Sequence, residues 1–204
     1  MKDHNEAPKH FSMVRSFQLP DLFTIANGMF GVAAIFQALA FYRTGIPSHL
    51  YWAALFIPLA LILDVLDGFV ARKKSTSSAM GREMDSLADL ISFGVAPAVI
   101  AFAVGMNALL DQIVLIYFAC CGLSRLARFN VTAESLADQR GKVKYFEGAP
   151  IPTSIIPLGL TLLAYSRDML FPVQIFGASF HLVSLLYLGS GSLMISRTIR
   201  IPKP

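Results

Sequence analysis

Four aspartates dominate the chemistry that this sequence offers. Asp64, Asp67, Asp85 and Asp89 lie in the run DVLDGFVARKKSTSSAMGREMDSLAD, which fills positions 64–89. Spacings of three and four residues put each pair on one face of a helix. A short, basic, serine-rich turn separates the pairs, so the helices are antiparallel neighbours and all four carboxylates converge. Carboxylates close to a bilayer are costly, and like charges worsen the cost. Such a group requires a cation, and a donor set made only of oxygen suits the hard ions Mg²⁺, Mn²⁺ or Ca²⁺. Four carboxylates shared between two sites suit a two-metal centre, the arrangement that clamps the attacking and leaving oxygens of an in-line phosphoryl displacement. Gly68 and Gly81 leave room for a substrate to approach the backbone. Arg72, at helical spacing from Asp64 and Gly68, is placed to hold a phosphate. A calcium loop is excluded because the D-x-D-x-D-G spacing is absent. The plain alternative is a set of interfacial charges at helix ends, which seldom form two facing pairs.

The elements that position these residues are apolar. Of 204 residues, 55% are hydrophobic and 15% charged, against about 25% charged in a soluble domain. The mean hydropathy is +0.59. An all-α integral membrane fold is therefore expected, with six transmembrane segments at roughly 21–42, 49–71, 84–104, 109–128, 153–169 and 172–195. A spanning helix needs about 20 mostly apolar residues, and the fifth segment is the shortest. Pro152 and Pro157 fall near its start, where a first-turn proline is tolerated. Residues 1–18 are read as an N-terminal cytoplasmic segment, either a short amphipathic interfacial helix or a disordered tail. Residues 19–196 form the six-helix domain and 197–204 a cytoplasmic tail. The first twenty residues show no removable signal peptide.

The basic residues set the orientation. All except Arg43 and Arg167 fall to one side of the apolar segments. By the positive-inside rule both termini are then cytoplasmic, and so is the aspartate cluster. The net charge of +4 does not imply nucleic acid, because the basic residues sit between apolar segments. Cys120 and Cys121 are adjacent, lack metal-site spacing and read as two small buried apolar residues. His181 reads as a packed or hydrogen-bonded residue and not a ligand. Glu83 lies one helical step off the aspartate face.

The run matches D-x2-D-G-x2-A-R-x8-G-x3-D-x3-D at each fixed position, through Asp64, Asp67, Gly68, Ala71, Arg72, Gly81, Asp85 and Asp89. In this it resembles the CDP-alcohol phosphatidyltransferase family, and the six-span plan extends the resemblance over most of the chain. The resemblance implies two bound Mg²⁺ or Mn²⁺ ions, one held by Asp64, Asp67 and Asp85, the other by Asp64, Asp85 and Asp89. Asp89 would be the catalytic base. The acceptor hydroxyl would then attack the β-phosphorus of a CDP-lipid, with CMP leaving. Gly68, Arg72 and Gly81 would contact the CDP moiety, and Asn27, in the stretch Thr24 to Gly28, would join the CDP-lipid site.

The acceptor is read from other segments. Ser92 to Pro97, Ser124 to Asn130 and Phe146 to Thr153 are similar to the branch of the family that uses CDP-diacylglycerol and L-serine. Arg125, Arg128 and Phe129 would form the serine site, because an arginine fork binds a carboxylate at two points. The alternatives for the two arginines are to hold lipid phosphate or to anchor the helix end by snorkelling. Asn130 and Glu147 lie where the serine ammonium could be met. Inositol and glycerol 3-phosphate are the alternative acceptors. A divalent-cation transporter is the alternative of another class, and it would place aspartates near the bilayer midplane. The resemblance further implies a homodimer. The terminal stretch Ser196–Pro204 is more similar to fungal members, implying the endoplasmic reticulum rather than a bacterial plasma membrane.

Overall fold

The computed structural model describes residues 19–74, 79–137, 145–175, 177–196 and 200–202. The N-terminal segment 1–18 and most of the tail 197–204 lie outside the described residues, and so do the side chains of Arg72 and Glu147.

Helix α1 spans Leu19–Thr44 and α2 spans Pro47–Lys74. Gly45, at φ +68°, reverses the chain between them, a conformation that glycine adopts without penalty. The third segment is compound: α3 covers Ala79–Asp89, a π-helical turn Leu90–Val95, and α4 Ala96–Ala103. The π turn has a local cause. Pro97 lacks an N–H, so the ladder loses one bond there. The Ala96 N–H reaches back five residues to the Ile91 carbonyl, widening the turn directly after Asp89. Helix α5 spans Leu109–Ala137. Strand β1 (Tyr145–Glu147) and a 3₁₀ turn at Ile151–Ser154 lead into α6 (Ile155–Ser166). A hairpin follows, β2 (Pro172–Ile175) with β3 (Ala178–His181), then α7 (Ser184–Ile195) and β4 (Arg200–Pro202).

Four helical stretches among the described residues are long and apolar enough to cross a membrane: Pro20–Thr44, Pro47–Val70, Met80–Ala103 and Leu109–Thr132. The outward faces carry Phe36, Leu39, Ile62, Val65, Phe69, Ile113 and Ile116, all exposed. In water that surface would aggregate; against lipid it meets its own kind. The chain is an integral membrane protein. Its interior is built from small residues, with Ala34, Ala38, Ala53, Ala60, Ala96 and Ala101 fully buried. Small residues let helix backbones approach closely where lipid removes the hydrophobic drive for association.

The expected sixth segment, 172–195, is corrected by the structure. Its first ten residues form the β2–β3 hairpin, and only Ser184–Ile195 is helical. Pro172 cannot donate to a helical ladder, Val173 is β-branched, and Gly177 turns the chain at φ +81°. At 1.5 Å per residue, α7 is about 18 Å long, short of the roughly 30 Å hydrocarbon core. The fifth segment, expected at 153–169, is the 3₁₀ turn plus α6. Pro157 falls in the first turn of α6, as expected. Cys121 is buried, whereas Cys120 is exposed.

The two ends of the bundle are chemically distinct. At one end Thr24 of α1 meets Asp67 of α2, and Ser86 of α3 meets Asn130 of α5. There too β4 pairs with β1 in antiparallel register, Ile201 opposite Phe146. At the other end Asp111 of α5 meets His181 of β3 and Ser184 of α7. Helix α7 therefore runs parallel to α5, starting and finishing beside it.

Candidate active site

The last turns of α2 and the first turns of α3 deliver the four aspartates to one end of the bundle. Asp64, Asp67 and Asp85 each present a carboxylate oxygen, and these oxygens lie within 4.8 Å of one another. Asp67 is buried, while Asp64 and Asp85 are half-buried. Asp89, one turn beyond Asp85, is buried and stands beside Asp64. The convergence expected from spacing is thus present in three dimensions. Two unit charges 4.8 Å apart repel by about 3–4 kcal/mol at an effective dielectric near 20. Several such pairs in one place call for a cation. Asp85 Oδ1 is buried with no hydrogen-bond partner among the described residues. A buried carboxylate oxygen left without a donor is a free coordination position. The donor set, all oxygen, fits hard divalent cations and does not fit thiophilic ones.

Helix α1 supplies the back wall. From Asp21 onward its buried positions are Asp21, Thr24, Asn27, Gly31, Ala34, Ala38 and Phe41, a stripe of helical period. Thr24 Oγ1 donates to Asp67 Oδ2 at 2.7 Å, and Asn27 Nδ2 donates to Asp89 Oδ1 at 3.1 Å. Asp21 also faces Asp67. Gly28 packs on Ala88, where an added Cβ would lie 3.5 Å from the alanine Cβ. Gly31 packs directly on Ser92 of the π turn, whose Oγ donates to the Asn27 carbonyl at 3.0 Å. Asn27 was expected in the CDP-lipid site; the structure puts its amide on Asp89. Sequence reasoning missed the roles of Thr24, Asp21 and Ser92. For Thr24 and Asp21 the signal was present as a polar and small-residue stripe in the otherwise apolar α1.

Helix α5 supplies the third wall. The Arg125 guanidinium faces Asp89 and Asp64 and lies 5.8 Å from the centroid of the Phe129 ring, a cation–π distance. Arg128 turns elsewhere: its guanidinium donates to the Ile195 carbonyl at 3.3 Å and the Met194 carbonyl at 3.4 Å. These are the last carbonyls of α7, and capping them is a common arginine role at helix C-termini. The structure thus brings Arg125 and Phe129 to the aspartates and not Arg128. Asn130 accepts from Ser86 Oγ at 3.1 Å and donates to Glu83 Oε2 at 3.2 Å. Glu83 is accordingly a helix-to-helix contact off the aspartate face. Gly68 donates its N–H to Asp67. Gly81 sits one turn before Asp85, half-buried.

His181 is buried and hydrogen-bonded, as expected, although in a hairpin. Its Nδ1 lies 2.6 Å from Asp111 Oδ2, and its backbone N–H donates to Asp111 Oδ1 at 3.0 Å. This cluster belongs to the end remote from the aspartates.

Comparison with known proteins adds two findings. Residues 17–187 match the sequence profile described as CDP-alcohol phosphatidyltransferase. A CDP-diacylglycerol–serine O-phosphatidyltransferase of Saccharomyces cerevisiae is 44% identical over 205 residues, covering 96% of this chain and 74% of the relative. One of the same name from Bacillus subtilis is 33% identical, over 81% of this chain and 86% of the relative. An archaetidylserine synthase of Methanothermobacter thermautotrophicus is 35% identical, over 69% of this chain and 55% of the relative.

Proposed function

The chain belongs to the CDP-alcohol phosphatidyltransferase family, and from that membership we propose that it transfers the phosphatidyl group of CDP-diacylglycerol to the hydroxyl of L-serine, releasing CMP. The observation that carries the acceptor is similarity over nearly the whole chain to transferases named for serine. The clustered aspartates at one end of the bundle support the reaction type and disfavour a cation transporter, whose carboxylates would line a path at mid-membrane.

Asp64, Asp67 and Asp85 would hold one divalent cation, and Asp64, Asp85 and Asp89 a second, with Mg²⁺ or Mn²⁺ in both. When bound, the ions neutralise the carboxylates and the charge that builds on the transferred phosphate. The remaining work falls to the chain's own residues. Asp89, whose Oδ1 is held by Asn27, takes the serine hydroxyl proton. The freed alkoxide-like oxygen attacks the β-phosphorus in line, and the bond to CMP breaks. A serine hydroxyl is a weak nucleophile until a base stands within reach. Arg125, steadied on Phe129, binds the serine carboxylate. Gly68 and Gly81 let the CDP moiety approach the helix backbone, and Arg72 meets its phosphates. Arg128 serves the serine site indirectly by holding the end of α7 beside Arg125.

We place the site on the cytoplasmic side. Residues 19–196 act as one domain of six crossings, in which the 3₁₀ turn with α6, and the hairpin with α7, complete the fifth and sixth. The start of α1 and strand β4 both belong to the aspartate end, which supports an even number of crossings and two cytoplasmic termini. The working form is a homodimer in the endoplasmic reticulum membrane.

Purified protein in proteoliposomes, given CDP-diacylglycerol with Mg²⁺ or Mn²⁺, should release CMP when L-serine is added and form a serine-labelled lipid. Inositol or glycerol 3-phosphate supporting CMP release while serine does not would overturn the acceptor. Metal flux without CMP release under any acceptor would overturn the reaction.

A further inference from the structure

We propose that Thr24 and Asn27 of α1 are positioning residues that set the side-chain orientations of Asp67 and Asp89 in the aspartate cluster. The inference rests on the reading of that cluster as a divalent-cation site and adds what holds it in shape.

Thr24 is buried, at 4% exposure, in the middle of a helix. A threonine there ordinarily returns its single hydroxyl proton to the carbonyl four residues back. That carbonyl, of Pro20, is 3.3 Å away, whereas Asp67 Oδ2 is at 2.7 Å. The proton goes to the nearer, charged acceptor. β-Branching holds the threonine side chain to few rotamers, so the hydroxyl is a fixed donor and the carboxylate turns to meet it. Asp67 then has one oxygen committed to α1 and the other for the cluster.

Asn27 acts on the second helix of the site. It is fully buried, gives its Nδ2 to Asp89 Oδ1, and leaves its own Oδ1 without a partner among the described residues. An interior amide with an orphaned acceptor is a poor choice for stability; its one side-chain hydrogen bond among the described residues is to Asp89. The same residue's carbonyl accepts from Ser92. Asn27 thereby holds both Asp89 and the π turn that follows it. Thr24 and Asn27 are three residues apart, on one face of α1. A single helix face therefore holds one carboxylate from α2 and one from α3. Carboxylates bound to a metal are usually held by such outer hydrogen bonds, whose loss costs about 10–100-fold in metal affinity or activity.

The test uses the full chain in detergent, with Mn²⁺ alone as probe. Free Mn²⁺ is counted by electron paramagnetic resonance, without substrate, for wild type, Asp67→Asn, Thr24→Val and Thr24→Ser. Valine keeps the shape of threonine and removes only the hydroxyl. Thr24→Val should weaken Mn²⁺ binding by about 10–100-fold, Thr24→Ser should restore it, and Asp67→Asn should lose it. Turnover separates the two roles open to Asn27: Asn27→Ala should lower kcat with KM for CDP-diacylglycerol unchanged if it positions Asp89. A raised KM at unchanged kcat would make it a substrate contact and overturn its part of the proposal. Wild-type Mn²⁺ affinity in Thr24→Val would overturn the part assigned to Thr24, leaving the cation site standing. Absence of Mn²⁺ binding in wild type would overturn the cation site and the proposal with it.

Discussion

Adding one methyl group at either of two glycines on α1 should have opposite consequences. Gly28 and Gly31 both face the third segment. At Gly28 an added Cβ would lie 3.5 Å from Ala88 Cβ and 3.8 Å from its Cα, ordinary van der Waals contact. Gly28→Ala should therefore be tolerated, and replacing a helical glycine by alanine contributes about 0.5–1 kcal/mol. At Gly31 the same atom would fall 2.9 Å from Ser92 Cα, 3.0 Å from Ile91 Cγ2, and against Ser92 Oγ. Backbone cannot step aside as a rotamer can. Helix α1 must withdraw from the π turn by most of an ångström to reach the roughly 3.5–4.0 Å optimum. Overpacking of this kind costs about 1–3 kcal/mol. Withdrawal also stretches the buried Ser92-to-Asn27 bond, worth about 1–3 kcal/mol when a partner is left unsatisfied. Less the helical gain, Gly31→Ala should lose about 1–5 kcal/mol in all. Because Asn27 also holds Asp89, the base moves with the helix. A misplacement near 1 Å costs roughly 100-fold in rate, so kcat should fall by one to two orders of magnitude at temperatures where the protein remains folded. Thermal unfolding in detergent and serine-dependent CMP release read the two effects. Equal unfolding temperatures and equal kcat for Gly28→Ala and Gly31→Ala would refute the reasoning, since composition and helix are the same for both.

Three further outcomes are expected. Asp89→Asn should reduce serine-dependent CMP release by about 100-fold or more, the usual worth of a general base, while binding of CDP-diacylglycerol, followed by ligand-induced thermal stabilisation, persists in part; near-normal turnover would remove Asp89 from that role. Asp111→Asn should weaken a cluster in which one carboxylate accepts from His181 Nδ1, the His181 N–H and Ser184 Oγ at 2.6, 3.0 and 2.5 Å. Its loss should cost about 1.5–3 kcal/mol, lowering the unfolding temperature with kcat nearly unchanged, because Asp111 lies about 21 Å along α5 from Arg125. Gly148→Ala should impair folding, since Gly148 sits at φ +78° with the Met194 carbonyl where a Cβ would go; full expression and normal thermal stability would contradict this.

The features legible in the sequence share a cause: each is local. Asp64 with Asp67, and Asp85 with Asp89, are readable because helical periodicity operates over a single turn, and a short connection forces the two turns together. The first four spans are readable because unbroken hydropathy leaves few alternatives. The hairpin at 172–181 escaped because an apolar run of Val173, Ile175 and Phe180 satisfies a buried strand and a membrane helix alike. Pro172 and Gly177 were the discriminating residues. The places of Thr24 and Asn27 beside Asp67 and Asp89 escaped for a different reason. Their partners lie 43 and 62 residues away, and no local rule pairs residues at that separation. The same holds for His181: its packed, hydrogen-bonded character was predictable from its type, but its partner Asp111, 70 residues earlier, was not.

What fixes the register of α5 against α7 follows from the medium. Two apolar helices in lipid gain little by burying leucine against leucine, since the tails outside are as apolar as the side chains. Sliding one past the other is then resisted mainly by close packing and by polar contacts. Close packing is supplied by Gly191, where an added Cβ would lie 3.2 Å from Phe118 Cα. Polar contacts are supplied at both ends: Asp111 takes the donors of His181 and Ser184 where α7 begins, and Arg128 takes the carbonyls of Met194 and Ile195 where it finishes. A shift of α7 by even half a turn would break both sets and strand a fully buried carboxylate. Arg125 lies one turn from Arg128 on the same helix, so the end of α7 that Arg128 holds stands beside it. The hairpin, which replaces the first half of an expected span, is what delivers His181 to Asp111. The departure from a plain six-helix plan thus supplies one of the two polar fastenings that set the register of α7 on α5.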